Sequence, residues 1–167
     1  MATMQKITPN LWFNGVAEEA VYFYTSIFKF SRIDKITRYG KEGFEFHHKP
    51  EGTVMTIQFF LEGQEFVALN GGDEFQFTPA ISFIVSCDTQ EEIDYYWERL
   101  GEGGNPDYQQ CGWLADKFGV SWQIVPAVLN EMVADGSSDK AQRATRAMLS
   151  MKKLNIEALE TAYRGTV

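Results

Sequence analysis

The chain has 167 residues, a formal net charge of −8, and a composition that is 44% hydrophobic and 14% aromatic. That length suits one domain or two small modules. The acidic balance argues against a nucleic-acid partner, which selects a basic surface, and no run approaches the roughly 20 apolar residues of a membrane-spanning helix.

No charged-then-apolar leader opens the chain, so a secretory signal is not expected. Cys87 and Cys111 read as two reduced thiols of a cytoplasmic protein, although a disulfide between them stays open at this level. No basic neighbour is placed to activate Cys111 as a nucleophile.

Residues 7–13 alternate as a strand, which Asn14-Gly15 breaks. Residues 18–28 follow as an amphipathic helix, with Ala20, Phe23, Tyr24, Ile27 and Phe28 at helical spacing. Glu18 and Glu19 fall in its first turn, where the helix dipole favours carboxylates, and this accounts for them better than an acid/base pair does. Residues 32–39 form a second predicted strand, and residues 40–52 a hairpin loop. That loop holds the only two histidines, His47 and His48, which on extended backbone point to opposite faces and so chelate poorly together. Residues 53–61 and 64–69 are the third and fourth predicted strands. Asn70-Gly71-Gly72-Asp73 is the clearest break in the chain and is taken as a module boundary.

The order then recurs. Residues 78–85 read as a strand, and Asp88 with Glu91 as a capping box that starts a helix over 90–100. Residues 101–106 form a loop, residues 108–114 one or two short strands, and residues 120–125 a last strand that Pro126 ends. Local matches support duplication: Thr8-Pro9 with Thr78-Pro79, Phe13 with Phe83, and Glu18-Glu19 with Glu91-Glu92. The expected fold class is α+β. Two βαβββ modules are expected, over 1–72 and 73–130. Residues 131–167 form a C-terminal helical extension, with helices over 141–151 and 156–163, that covers a sheet face or a partner chain.

The stretches LWFNGVAEEAVYFYTSIF at 11–28, PAISFIVSCDTQEEIDYYWERL at 79–100 and CGWLADKFGVSWQIVP at 111–126 resemble the PhnB-like branch of the vicinal oxygen chelate superfamily. That superfamily also contains glyoxalase I, the bleomycin- and fosfomycin-resistance proteins and the extradiol dioxygenases. The branch carries the label 3-demethylubiquinone-9 3-methyltransferase, and the resemblance spans about residues 5–165. It implies that the two modules curl into an open mixed β-sheet cup, and a homodimer, sometimes with exchanged modules. It also implies that metal-using members place His or Glu on the first and last strand of each module.

The matching positions in this chain are Asn10, Val67, Ala80 and Gln123. Two are apolar and two are neutral amides, whereas transition metals select imidazole, thiolate or carboxylate. No metal and no other cofactor is therefore expected. The methyltransferase label has no support in the residues, because no glycine-rich loop joins a strand to a helix with an acid downstream.

Strand alternation puts Asn10 and Trp12 on one face of the first module, and Ala80 and Ser82 on the matching face of the second, with Phe13 and Phe83 turned to the helices. Gln58 interrupts an apolar strand. Asn10, Trp12, Gln58, Ser82 and Gln123 are thus the candidate pocket residues, and no catalytic residue can be named. Two readings of this polar, aromatic interior stand: a pocket for a small organic molecule, or a filled core whose polar groups satisfy one another. The corresponding functions are a metal-free binding protein, an enzyme of the same superfamily acting on a small metabolite, or a ligand-free interaction dimer. The lack of an assignable titratable group favours binding over catalysis.

Overall fold

The computed structural model describes residues 5–165. The chain divides between Gln76 and Phe77 into two compact units, each with its own sheet. The fold class is α+β with open mixed sheets and a helical C-terminal end.

The first unit runs β1 (Asn10–Phe13), α1 (Ala17–Ile27), β2 (Arg32–Arg38), α2 (Phe44–His47), β3 (Val54–Leu61) and β4 (Gln64–Asn70). Its sheet has the order β1-β4-β3-β2, with β1 parallel to β4 and the other pairs antiparallel. Alternation decides the faces. Leu11, Phe13, Ile57, Phe59, Phe66 and Ala68 are buried, and α1 contributes Ala20, Val21, Tyr24 and Ile27 to the same core. The Tyr24 and Phe59 rings stack at 6.5 Å, which fixes the helix over the middle of the sheet.

Helix α1 has no side-chain cap of its own at Val16. The cap comes instead from the far end of the sheet. Asn70 is 2% exposed. Its Oδ1 accepts from the Ala17 N–H at 2.9 Å, and its Nδ2 donates to the Val54 carbonyl at 3.1 Å and to Glu18 at 3.3 Å. Asn70 therefore belongs to β4 as its last residue. The predicted loop over 40–52 contains the one-turn helix α2, where His47 packs on Tyr39 at 4.5 Å and its Nδ1 accepts from the Lys49 N–H.

The second unit runs β5 (Ser82–Cys87), α3 (Gln90–Gly101), a 3₁₀ turn (Pro106–Tyr108), β6 (Trp113–Ala115), β7 (Ser121–Pro126), α4 (Ala127–Val133), α5 (Asp139–Leu149) and α6 (Ile156–Arg164). Its sheet has the order β5-β7-β6. Among the described residues it has three strands, not the four expected of a βαβββ module. The counterpart of β2 is missing because that stretch holds Gly103, Gly104 and Pro106. Asn105 caps the 3₁₀ turn through its Oδ1 to the Asp107 N–H, and only an isolated bridge, Gln110 to Trp113, remains of the extra pairing. Gly104 is obligatory here, since a Cβ would lie 2.1 Å from the Ala115 carbonyl oxygen.

Two local expectations are corrected. The first strand of this unit begins at Ser82, not at residue 78, because the Thr78 hydroxyl and carbonyl capture the N–H groups of Ala80 and Ile81 in a turn. The N-cap of α3 is Thr89, not Asp88. Thr89 Oγ1 accepts from the Glu92 N–H, and Glu92 reaches back to the Asp88 N–H at 2.8 Å.

Helix α4 was not anticipated. It follows β7 directly, and with α5 and α6 it builds a separate core of Leu129, Met132, Ala144, Leu154 and Leu159, against which Val125 of β7 also packs. Three links fasten this bundle. The Cys111 and Gly112 N–H groups donate to the carbonyls of Met151 and Lys152 at 2.9 and 2.8 Å. Gln90 of α3 donates to the Leu154 carbonyl and accepts from the Ile156 N–H. Lys153 pairs with Asp94 at 2.6 Å.

Candidate functional site

The candidate residues lie on the face of the first sheet opposite α1 and on the face of the second sheet opposite Phe83 and Trp122. In the first unit the register aligns Asn10, Val67, Gln58 and Lys35 across all four strands, and Trp12, Leu69, Thr56 and Thr37 on the next rung. Asn10, Trp12 and Gln58 therefore share one face, opposite the α1 core. Gln58 and Trp12 are each hydrogen-bonded within the first unit. The Gln58 amide donates to Glu65 Oε1 at 2.8 Å, and the Trp12 indole donates to the Gly72 carbonyl at 3.0 Å. The Trp12 ring lies against Gly71, where a Cβ would meet it at 2.3 Å, and meets Phe75 edge-on at 5.0 Å.

In the second unit, Phe83 of β5 contacts Trp122 of β7 at 5.4 Å on the helix side of the sheet. Ser82 and Gln123 lie on the other side, and the Gln123 amide donates to Ser82 Oγ at 2.9 Å. Ala80 sits in the turn before β5, outside the strand.

The Gln123 side of this sheet opens into a cavity of about 700 Å³. Its floor is formed by Ile84, Ser121, Gln123 and Val125, and one wall by Tyr108, Cys111 and Trp113. The opposite wall is Leu129 and Val133 of α4 with Met148 and Leu149 of α5. The lining is largely apolar, and its one carboxylate is Asp107. The polar groups on the floor are the Gln123 amide and the Ser121 hydroxyl.

The β6–β7 hairpin that presents this floor is organised by Asp116, a buried carboxylate. Its oxygens accept from the Phe118 and Val120 N–H groups at 2.8 and 3.1 Å and from the Trp122 indole at 2.9 Å. Gly119, at φ +88°, closes the turn. Cys111 on the wall has a left-handed backbone, φ +51°, held by its hydrogen bond to Met151. Cys87 lies elsewhere, fully buried. Burial pushes its thiol up to about 12, helped by the nearby Glu92 and Asp88 carboxylates.

Of the candidates expected from the sequence, Gln123 lines this cavity and Ser82 is its hydrogen-bond partner, whereas the aromatic and helical walls were not among the candidates. Trp113 was hidden in a short strand of uncertain placement, and α4 and α5 lie beyond the repeat that guided the reading. The amphipathic spacing of Leu129, Met132 and Val133 was the available signal. Among the described residues no group of three or more His, Cys, Asp or Glu side chains is clustered to hold a metal ion, and no helix is long and apolar enough to cross a membrane.

This architecture is that of the glyoxalase and bleomycin-resistance proteins. The family model described as 3-demethylubiquinone-9 3-methyltransferase matches residues 5–125, and the chain belongs to this family, the PhnB-like branch of that superfamily. A PhnB protein from Bacillus cereus, described as a putative 3-demethylubiquinone-9 3-methyltransferase, is 44% identical; the match covers 74% of this chain and 100% of that one, with a TM-score of 0.62. Protein PA1353 from Pseudomonas aeruginosa shares the fold at 20% identity and a TM-score of 0.56, over 74% of this chain and 98% of its own. The fosfomycin resistance protein FosX from Listeria monocytogenes matches at 14% identity and a TM-score of 0.49, over 77% of this chain and 98% of its own. No curated protein matches the chain.

Proposed function

We propose that this chain is a small-molecule-binding protein that holds an organic ligand without a metal. The observation that carries the reading is the cavity on the Gln123 side of the second sheet. Its volume of about 700 Å³ falls in the usual range for ligand sites, and it pairs apolar walls with a few convergent polar groups. The metal-free part rests on donor chemistry. Asn10 and Gln123 offer neutral amides, Val67 and Ala80 offer nothing, and the Gln123 amide is already engaged with Ser82.

In this reading the protein works as a cytoplasmic homodimer. Both sheets end in open edges, which invite pairing, and both cysteines are free thiols, as expected of a reducing compartment.

The test is native mass spectrometry and elemental analysis of protein purified without a nickel column, joined to a thermal-shift panel of organic compounds run with a chelator. Stabilisation by an organic compound that survives the chelator is expected, with well under one equivalent of Zn, Ni, Fe or Mn. A stoichiometric metal that is lost in Gln123→Ala would overturn the reading.

A further inference from the structure

We infer that helices α4 and α5 form the selective wall of this cavity, and that its ligand is an uncharged aromatic compound carrying an N–H or O–H donor. The inference rests on the small-molecule reading above and adds where the ligand sits and what chemistry it has.

The position of the wall comes first. The family match ends at residue 125, and α4 starts two residues later at Ala127. Without α4 and α5, Ile84, Gln123 and Val125 would face an open sheet surface. With them, Leu129, Val133, Met148 and Leu149 close the opposite side. The wall is anchored at its far end. Gln110 donates to the Leu149 carbonyl at 2.8 Å, and the next backbone links run from Cys111 to Met151 and from Gly112 to Lys152. Gly112, at φ +83°, leaves no room for a Cβ, which would lie 2.9 Å from the Ile124 carbonyl oxygen and 3.0 Å from the Leu154 side chain.

Charge decides the ligand class. The lining contains no Lys or Arg, and its single ionisable carboxylate is Asp107. An anion entering would lose its hydration with no cation to replace it, beside a like charge. The apolar walls select an apolar body. The Trp113 ring and the Met148 thioether are the groups that favour an aromatic one, through ring stacking and sulfur–aromatic contact. On the floor, Gln123 spends one N–H on Ser82, and among the described residues no partner is seen for its Oε1. Gln123 lines the cavity, so a donor on the ligand would complete that acceptor.

A pair of probes with one ring system tests this on the full chain: neutral N-phenylnaphthylamine, which carries an N–H, and anilinonaphthalene sulfonate, which adds an anion. Fluorescence titration should give saturable binding of the neutral probe at one site per chain, with the sulfonate at least tenfold weaker. Leu149 is 57% exposed, so substitutions there leave folding intact. Leu149→Asp should weaken the neutral probe tenfold or more at an unchanged melting temperature, and Leu149→Arg should shift preference toward the sulfonate. Ile7→Asp, on the first unit, should change neither. Neutral-probe binding that ignores both Leu149 substitutions would place the ligand elsewhere and sink this inference, while the small-molecule reading stands. Sulfonate binding as tight as the neutral probe's would overturn the ligand class. Saturable binding of neither probe, together with no hit in the compound panel, would remove both.

Discussion

Gln123 donates to Ser82 across a diagonal of the β5–β7 ladder: Ser82 pairs by register with Ser121, and Gln123 with Ile84. The bond holds the amide on the cavity floor by one of its N–H groups. Ser82→Ala should therefore change stability by less than about 1 kcal/mol, the net worth of one half-buried hydrogen bond, while altering the affinity of the neutral probe. Phe83→Ala, one residue on, should do the reverse. Phe83 is half-buried against Trp122, so its loss should cost about 2–3 kcal/mol, below the ~3–5 kcal/mol of a fully buried ring, with probe affinity retained. Urea denaturation and probe titration of the two variants separate the cases; equal effects on both readouts would mean that the two faces are misassigned.

Asn70 is the residue whose removal should be felt most in the first unit. Asn70→Ala strips the Ala17 N–H and the Val54 carbonyl of their partner inside a closed core. A cost of about 2–4 kcal/mol is expected, from two buried groups left unsatisfied at ~1–3 kcal/mol each. Chemical denaturation should show a lower midpoint at an unchanged slope. A loss below 1 kcal/mol would mean that water replaces the amide.

Asp116 makes a parallel case in the second unit. Asp116→Ala removes the acceptor for two backbone N–H groups and the Trp122 indole at once. It should destabilise by about 3 kcal/mol or more, since bonds to a charged acceptor are worth ~1.5–3 kcal/mol each. A shift in Trp122 near-ultraviolet dichroism should accompany the loss, and an unchanged spectrum would contradict the role given to the carboxylate.

The two thiols should separate on titration. A chromogenic disulfide reagent at neutral pH should modify Cys111 and leave Cys87 until the chain is unfolded, because Cys87 is fully buried with its thiol raised to about 12. A folded-state value above the unfolded one of about 8.5 stabilises the fold fully below that pH, and the contribution is lost as pH rises toward the folded value. Cys87→Ser should therefore flatten the alkaline fall in melting temperature; an unaltered alkaline limb would remove the assignment.

Asp94 gives the acid counterpart. Hydrogen bonds from Lys153 and Gln90 hold its carboxyl below the ordinary value. The depressed value makes its contribution full above about pH 4, and that contribution fades as pH falls through the folded value. The pair is about half exposed, so Asp94→Asn should cost no more than ~1 kcal/mol near neutrality. Wild type and variant should converge in melting temperature in strong acid, and a difference that persists there would point to packing rather than charge.

The duplicated strand–helix order was legible in the sequence because it rests on local physics. The period-two alternation around Leu11 and Phe13, the helical spacing of Ala20, Tyr24 and Ile27, and the Gly-rich breaks each act within a few residues, and family resemblance reinforced them. Alternation put Ser82 on its face, and the family resemblance singled out Gln123. Three things needed the folded chain. Asn70 read as part of a boundary, because nothing near it in sequence reveals a helix N-terminus 53 residues away. The sequence placed one or two strands over residues 108–114, but the chain runs through a 3₁₀ turn to Tyr108 and only the Gln110–Trp113 bridge precedes β6. The cavity walls came from residues beyond the repeat, brought over the second sheet by backbone bonds from Cys111 and Gly112 to Met151 and Lys152. Short-range periodicity carries no information about which distant backbone groups will meet, and in this protein those meetings cap α1 and enclose the cavity.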